Sequence, residues 1–356
     1  MQTRQKSLDI LRAIAILLVL GRHMPAYQGN NVYLKIIMDT LGCGGWIGVD
    51  LFFVLSGFLI SGLLFKEHML SGKISFKRFF IRRGLKIYPA FYFMIATTTF
   101  LTYYTHRALF AELFFCQDYV AGLWNHTWSL GVEEKFYILL PLLLILLSMI
   151  RKSKNFTFDY IPSIFLFISI TCLALRISNA INSPYQHLTH LFPFHLRLDS
   201  LFWGVTISYF YHYHASVFKI TTCRFKALFL LLGLLFLLPA FIFVLETSPI
   251  IYTVGLTFIY LGSGLILMAF IDADLKPNLL INSLTYIGAH SYSIYLWHMP
   301  VGRFLPYIFK FLPLSYWTWP NFTLSFFIAS IGLGIVFSKI IEFPILKFRD
   351  RIFPSH

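Results

Sequence analysis

The chain has 356 residues, of which 58% are hydrophobic and only 12% charged, with 40 Phe, 20 Tyr and 7 Trp. Soluble domains carry about a quarter of their residues charged, so this composition excludes an ordinary soluble enzyme and points to a bilayer. The formal charge of +14 does not point to nucleic acid, because the cations sit in the connections between apolar runs rather than on one basic face.

Apolar periodicity and length divide the chain into ten predicted helical spans, at 8–26, 46–65, 87–105, 128–150, 161–177, 195–212, 227–245, 251–271, 287–311 and 321–341. The expectation is an all-α polytopic membrane protein. No short apolar run ends in a small-residue cleavage site, so the first helix is expected to be retained. Orientation follows the cations. Arg4, Lys6 and Arg12 open the chain, and Lys66, Lys73, Lys77, Arg78, Arg82, Arg83 and Lys86 follow the second span. Arg151, Lys152 and Lys154, then Lys219, Arg224 and Lys226, then Lys276, and finally Lys339, Lys347, Arg349 and Arg351 fall on the same side. That side is predicted to be cytoplasmic and to hold both termini; the opposite loops carry few cations, such as Lys35 and Arg107. Cys43, Cys116, Cys172 and Cys223 show no CxxC spacing, so neither a metal nor a redox motif is indicated. Cys43 and Cys116 have the positions to pair near the outer face, but buried thiols are the simpler expectation.

The first span, LDILRAIAILLVLGRHMPA, places Arg12 and His23 eleven residues apart. At about 100° and about 1.5 Å per residue, they share a face to within roughly 20° and are separated by about 16 Å of rise. Ionisable groups inside a bilayer are costly and mark function more often than structure. Asp9 lies three residues before Arg12, so an ion pair at the helix entrance is a competing use of that arginine. The second span begins GWIGVDLFFVLSGFLISGLL, with Asp50 near its outer end. The segment FKRFFIRRGLKIYP enters the third span. It suits either anchoring on anionic lipid or gripping a cytosolic polyanion through guanidinium groups; it contains no P-loop.

The fourth span begins NHTWSLGVEEKFYILLP and brings His126, Glu133, Glu134 and Lys135 toward the same outer level. Solvated interfacial positions suit His126 and Lys135. The apolar surroundings of Glu133 suit a buried role. In HLRLDSLFWG of the sixth span, Arg197 and Asp199 lie two apart. On a helix they do not face each other, so each is expected to pair with another span and serve structure. The ninth span delivers His298 through SYSIYLWHMP. Glu342, before Phe343-Pro344, is expected to tie the tenth span to the inner basic segment. Five spans thus direct ionisable groups to one level, which predicts a shared polar cavity.

Taken together, these motifs resemble the acyltransferase-3 family of membrane acyltransferases that modify bacterial surface sugars. The basic residue, ten residues and histidine of its first motif are matched by Arg12 and His23. GVDLFFVLSGFLI, including Asp50, Ser56 and Gly57, matches the second-span signature, and WSLGVEEKFYILLP places the family's glutamate on Glu133. RLDSLFWG, SYSIYLWHMP and the EFP at Glu342–Pro344 follow in the expected order. The family's RxxR appears here as Arg83-Gly84-Leu85-Lys86. Lysine keeps the charge but not the planar fork, leaving Arg82 to compensate. Many members add a soluble esterase-like domain; this chain is expected to be a single transmembrane domain over 1–356 without one.

The resemblance implies acetyl-CoA as acyl donor, no metal, and an extracytoplasmic glycan as acceptor, such as an O-antigen, exopolysaccharide or lipid-linked sugar. The expected location is the bacterial inner membrane. Coenzyme A phosphates would dock at Arg12, Arg82, Arg83 and Lys86, with the thioester meeting His23. His23 is the candidate general base, oriented by Glu133 or Asp50 as in a hydrolase triad. His298 is a second base or a donor to the thioester oxygen, and an acyl-His23 intermediate is the competing mechanism. The alternatives are a polytopic transporter or flippase, or an acyltransferase using succinyl-CoA or a non-glycan acceptor.

Overall fold

The computed structural model describes residues 6–101, 104–150, 157–273, 275–313 and 318–354, and every regular element within them is helical. Arg4, Arg151, Lys152 and Lys154, used above for orientation, lie outside the described residues. Helix α1 (Lys6–His23) carries Arg12 and His23 on one uninterrupted helix. Helix α2 (Val32–Gly44) starts where the Asn31 side chain accepts the Leu34 N–H at 3.1 Å, satisfying one of the orphan donors of a helix start. Helix α3 (Ile47–Ser71) stops at Gly72, whose φ of 71° closes the last turn in the left-handed region. Helix α4 (Phe76–Thr99), capped by Ser75, contains the basic segment and Pro89.

A short α5 (His106–Leu113) precedes α6 (Trp128–Ile150), α7 (Ile161–Asn182) and α8 (Leu198–Tyr213). Then follow α9 (Ala215–Arg224), α10 (Lys226–Leu237), α11 (Pro239–Ile242) and α12 (Leu256–Phe270), the last entered through a wide π turn at Ile251–Gly255. Helices α13 (Leu279–Ala289), α14 (Ser291–Phe309), α15 (Trp319–Phe337) and α16 (Phe343–Ile352) complete the chain.

Each of the ten predicted spans contains a helix. By length and apolarity, four stretches among the described residues qualify to cross a bilayer: Ile47–Ser71, Ile161–Asn182, Ile251–Phe270 and Trp319–Ile352. Ala215–Arg224 and Lys226–Ile242, bent by 76°, make a fifth if they are one broken span. The helices that fall short include α1, α4, α6, α8 and α14. All but α8 carry at least one lysine or arginine, and α8 is brief and holds Asp199. The two groups occupy different places. α7 and α15 bury few of their apolar side chains and leave Phe167, Ile170, Leu324 and Ile328 exposed, as lipid-facing helices do. Of the polar-bearing helices, α1, α6 and α8 pack on α3, which is buried over most of its length.

Two features pin the centre. Gly57 of α3 lies directly on α8: a Cβ there would overlap the Leu201 carbonyl, and one at Gly204 would overlap the Val54 carbonyl. Small residues let helix backbones approach this closely where no hydrophobic effect drives them together. Beside this crossing lie two buried ion pairs, Arg197–Asp50 at 2.5 Å and Arg176–Asp199 at 2.6 Å, with all four side chains at most 1% exposed. Arg197 and Asp199 thus pair outward to α3 and α7, as the spacing required. The Arg197 guanidinium also sits 5.6 Å from the Phe53 ring centroid and 5.9 Å from that of Trp128.

Glu342 accepts hydrogen bonds from Ser293 at 2.9 Å and Ser338 at 3.0 Å, tying the end of the tenth predicted span to α14, and it lines one cavity with Arg83 and Lys86 of the basic segment. Cys43 and Cys116 are unpaired, as the simpler expectation had it, though only half-buried. Cys43 instead donates toward the Ala240 and Phe243 carbonyls.

Removing one partner of a buried pair strands the other charge, which costs about 3–5 kcal/mol. Asp199→Ala is therefore expected to lower the unfolding midpoint of the detergent-solubilised protein markedly. The double variant Arg176→Met/Asp199→Leu should recover much of that loss. A double variant no more stable than the single one would show that the helices do not depend on this pairing.

Candidate active site

A cavity of 790 Å³ runs between α1, α3, α4, α6 and α14. Its wall on α3 extends from Val49 to Lys66, about 25 Å at the helical rise. Towards the Lys66 end it is lined by Arg12, Arg83, Lys86 and Arg349, with Asp350 beside Arg349. Midway lie Ser56, Glu133 and Tyr137. The Ser56 and Tyr137 hydroxyls lie 2.7 Å from each other, and Arg83 sits 5.3 Å from the Tyr137 ring centroid. The far end is lined by Ser129 and Tyr295. The Tyr295 hydroxyl donates to the His126 carbonyl at 2.5 Å and accepts from Ser129 at 2.6 Å.

Beyond Tyr295 three imidazoles cluster. The His298 ring lies 5.1 Å from His23 and 4.8 Å from His126, and the Tyr295 ring lies 5.3 Å from His126 and 5.5 Å from His298. Among the described residues no group of three His, Cys, Asp or Glu is arranged to hold a metal. Hydrogen bonding assigns the tautomers. His298 Nδ1 lies 2.6 Å from the Tyr295 carbonyl, which only accepts, so Nδ1 carries the proton and Nε2 of the neutral ring is an acceptor. His23 Nδ1 lies 3.0 Å from the Val19 carbonyl and 3.3 Å from His298 Nε2, so His23 also carries its proton on Nδ1. Its Nε2 is left with a free lone pair, the form a general base needs.

The segment that delivers His126 is fastened by Glu112. This carboxylate, fully buried, accepts the Trp124 N–H at 3.0 Å and the Thr127 hydroxyl at 2.8 Å. Nearby, Phe115 takes a φ of 54°, rare for an aromatic residue, and stacks on Phe91 at 4.6 Å. Its carbonyl accepts from Lys135 at 2.7 Å, which also pairs with buried Asp118 at 2.6 Å. Lys135 and His126 are therefore internal fastenings and cluster members rather than solvated interfacial groups. Burial raises the Asp118 carboxyl above its ordinary range, against the pull of Lys135. Glu112 is pushed up to about 7, chiefly by burial.

The predicted site residues separate accordingly. Arg12, Arg83 and Lys86 share the cavity, and Arg12 also pairs with Asp9 at 2.5 Å, so both of its readings hold at once. Arg82 turns away to Asp350 at 3.1 Å and to the Phe353 carbonyl. Arg349 and Lys66 line the cavity in its stead. The sequence counted both only as topology signals, since their approach depends on how α16 and the end of α3 fold back on α4. His23 and His298 are in direct contact. Asp50 is committed to Arg197, and Glu133 lines the cavity wall; among the described residues neither carboxylate is seen hydrogen-bonded to His23, whose partners are Val19 and His298.

A family model described as an acyltransferase domain matches residues 5–339. The peptidoglycan O-acetyltransferase OatA of Listeria monocytogenes is 27% identical over 326 residues, covering 83% of this chain and 49% of that protein. The O-acetyltransferase OatA of Staphylococcus aureus (strain NCTC 8325 / PS 47) is 28% identical over 373 residues, covering 96% of this chain and 57% of that protein. The chain thus spans about half the length of these relatives. No solved structure matches.

The Glu112 fastening makes stability depend on pH. Because the native carboxyl holds its proton more tightly than an unfolded one, its contribution is complete below the ordinary value of 4.5 and is lost as pH rises toward 7. The loss is on the order of 3 kcal/mol. Glu112→Gln keeps an accepting oxygen without the titration. Its unfolding midpoint should fall less than that of wild type between about pH 5 and about pH 8, and equal slopes would remove Glu112 from this role.

Proposed function

The chain belongs to the acyltransferase-3 family, and from that premise we propose that it transfers an acyl group, most simply acetyl, from cytosolic acyl-CoA to a hydroxyl of an extracytoplasmic glycan. The relatives' names support O-acetylation, and peptidoglycan is the acceptor named for one of them. The observation that carries the reading is the continuous cavity from the cations Arg12, Lys66, Arg83, Lys86 and Arg349 to Tyr295, against which the histidines pack. Coenzyme A has that shape in chemical terms, with polyanionic phosphates at one end, a long slender arm and a thioester at the other. Arginine forks and lysine ammonium groups suit the phosphates, and a wall of about 25 Å suits the arm. The site lies in the cytoplasmic membrane of a bacterium, with ten crossings and the Arg12 end inward.

In the reaction the sugar hydroxyl attacks the thioester carbonyl. His23 Nε2 accepts the hydroxyl proton as the new carbon–oxygen bond forms. Collapse of the tetrahedral intermediate breaks the carbon–sulfur bond, and the imidazolium returns its proton to the departing thiolate. The Nδ1–H bonds of His23 to the Val19 carbonyl and His298 hold the ring in the basic tautomer and stabilise the imidazolium. This is the task a carboxylate performs in a hydrolase triad. Glu133, on the cavity wall with Ser56 and Tyr137, offsets the cations lining the same cavity and helps position the acyl-CoA arm.

His23→Ala should lower transfer of labelled acetyl from acetyl-CoA to surface glycan by about 10²–10⁴-fold, with coenzyme A binding unchanged. Arg349→Ala should weaken coenzyme A binding by roughly 10–100-fold, the worth of one charged hydrogen bond, while leaving the chemical step intact. Glycan labelling that persists in His23→Ala would remove the histidine from the chemistry. Binding of glycan without consumption of acetyl-CoA would favour a flippase.

A further inference from the structure

At its Lys66 end the 790 Å³ cavity reaches past the cations of α1, α4 and α16 to a second set of residues, Phe58, Gly62 and Lys66 of α3 with Tyr211 and His212 of α8. Phe58, Gly62 and Lys66 are spaced by four, so they form one stripe along α3. That stripe faces the end of α8. The Phe58 ring lies 5.7 Å from the Tyr211 ring, and a Cβ at Gly62 would come within 3.0 Å of the His212 ring. Ser56, two residues before Phe58 and hence on another face of the helix, meets Tyr137 of α6 instead. The cavity therefore touches α3 on two faces, with a main channel toward α6 and a side lobe toward α8.

The lobe differs from the channel in chemistry. Its wall is aromatic. Tyr211 meets Phe58, His212 and Phe218 at 70°, 75° and 89°, so among the described residues no ring stacks parallel on it. The His212 ring is held by its Nδ1–H, which donates to the Ser208 carbonyl at 2.9 Å. Gly62 adds no side chain and leaves the space between Phe58 and Lys66 open. The charge is uncompensated as well. Arg12 and Arg349 of the channel have Asp9 and Asp350 beside them, whereas Lys66 is exposed and has no ion pair among the described residues. The carboxylates that line the cavity, Glu133, Glu342 and Asp350, stand on α6 and at α16. A lone ammonium beside flat apolar surface suits an anion joined to a planar ring.

Coenzyme A carries two separate anionic groups, the diphosphate at the end of the pantetheine arm and the phosphate on the ribose beside adenine. We propose that the side lobe is the nucleoside subsite of the donor. Tyr211 stacks on the adenine and Lys66 bonds the ribose phosphate, while Arg12, Arg83, Lys86 and Arg349 keep the diphosphate. The donor is then an acyl-CoA with its whole nucleotide. An acyl group on the phosphopantetheine arm of a carrier protein, which has no base and no ribose phosphate, leaves the lobe empty and is a poor donor. The inference rests on the acyltransfer reading and specifies which part of the donor is recognised and by which residues.

The test is calorimetric titration of the full chain in lipid nanodiscs with coenzyme A, dephospho-coenzyme A and 4′-phosphopantetheine, beside an assay of acetyl transfer to glycan. Wild type should bind coenzyme A about 10–100-fold more tightly than dephospho-coenzyme A, the worth of one charged hydrogen bond. Lys66→Ala should erase that difference by weakening coenzyme A alone. Tyr211→Leu should weaken both nucleotides by the same factor, about 5–100-fold for one lost stacking contact, and leave 4′-phosphopantetheine unchanged. Should Tyr211→Leu fail to fold, Lys66→Ala decides the matter alone, since the lysine is exposed and has no internal ion pair to lose. Equal wild-type affinity for coenzyme A and dephospho-coenzyme A, or equal losses for the two in Lys66→Ala, would overturn the subsite while sparing the acyltransfer reading. The expected ranking in a protein that transfers no acetyl group would do the reverse, and no binding of coenzyme A to wild type would overturn both.

Discussion

A buried charge must find its counter-charge or a reason to remain unpaired, and the organisation of this protein follows from that constraint. In an apolar medium neither water nor salt relieves an isolated ion. Arg197–Asp50 and Arg176–Asp199 therefore act as fixed points joining α8 to α3 and to α7. They lie beside the crossing where Gly57 and Gly204 bring the α3 and α8 backbones into contact. Neither device suffices alone. Small residues permit close approach but do not choose a rotation, whereas an ion pair selects the rotation and needs close approach to be made.

The same constraint separates scaffold from site. Charges that are paired and inaccessible (Asp50, Arg176, Arg197, Asp199) hold helices. Charges on the cavity wall (Arg12, Lys66, Arg83, Lys86, Arg349) stay reachable beside Asp9, Asp350, Glu133 and Glu342. The histidines are a third case. Neutral imidazoles such as His126 and His298 are tolerated in a dry interior, His23 is open at the surface, and the hydrogen bonds of His23 and His298 to the Val19 and Tyr295 carbonyls fix tautomers rather than charges. The His23 lone pair is thereby held ready without a buried carboxylate beside it. Glu112 shows the same logic in the segment before α6: its carboxyl is closed into a fastening at Trp124 and Thr127.

Much of this was legible in the chain. The all-helical architecture, a helix over every predicted span, the Arg12–His23 alignment, and the need for Arg197 and Asp199 to find partners on other helices all follow from periodicity, hydropathy and local geometry. So did the family, because several motifs occur in order on that frame. What misled was proximity inferred from depth alone. Asp50, Glu133 and His298 were all placed near His23 by their level in the membrane. Only His298 meets it, because level fixes one coordinate and the rotation of each helix fixes the other.

The sequence by itself determined the elements and their chemistry: which segments are helices, which residue types lie within apolar runs, and which cations gather between them. Tertiary structure alone decided the partners. Arg349 rather than Arg82 enters the cavity because α16 folds back along α4 and takes Arg82 through Asp350 and the Phe353 carbonyl. His126 joins the cluster rather than the interface because Glu112, fourteen residues earlier, turns the chain inward at Trp124 and Thr127. The physical reason is common to both. Helix formation depends on neighbours within a turn or two, whereas pairing of polar groups in an apolar interior depends on contacts between segments far apart in the chain.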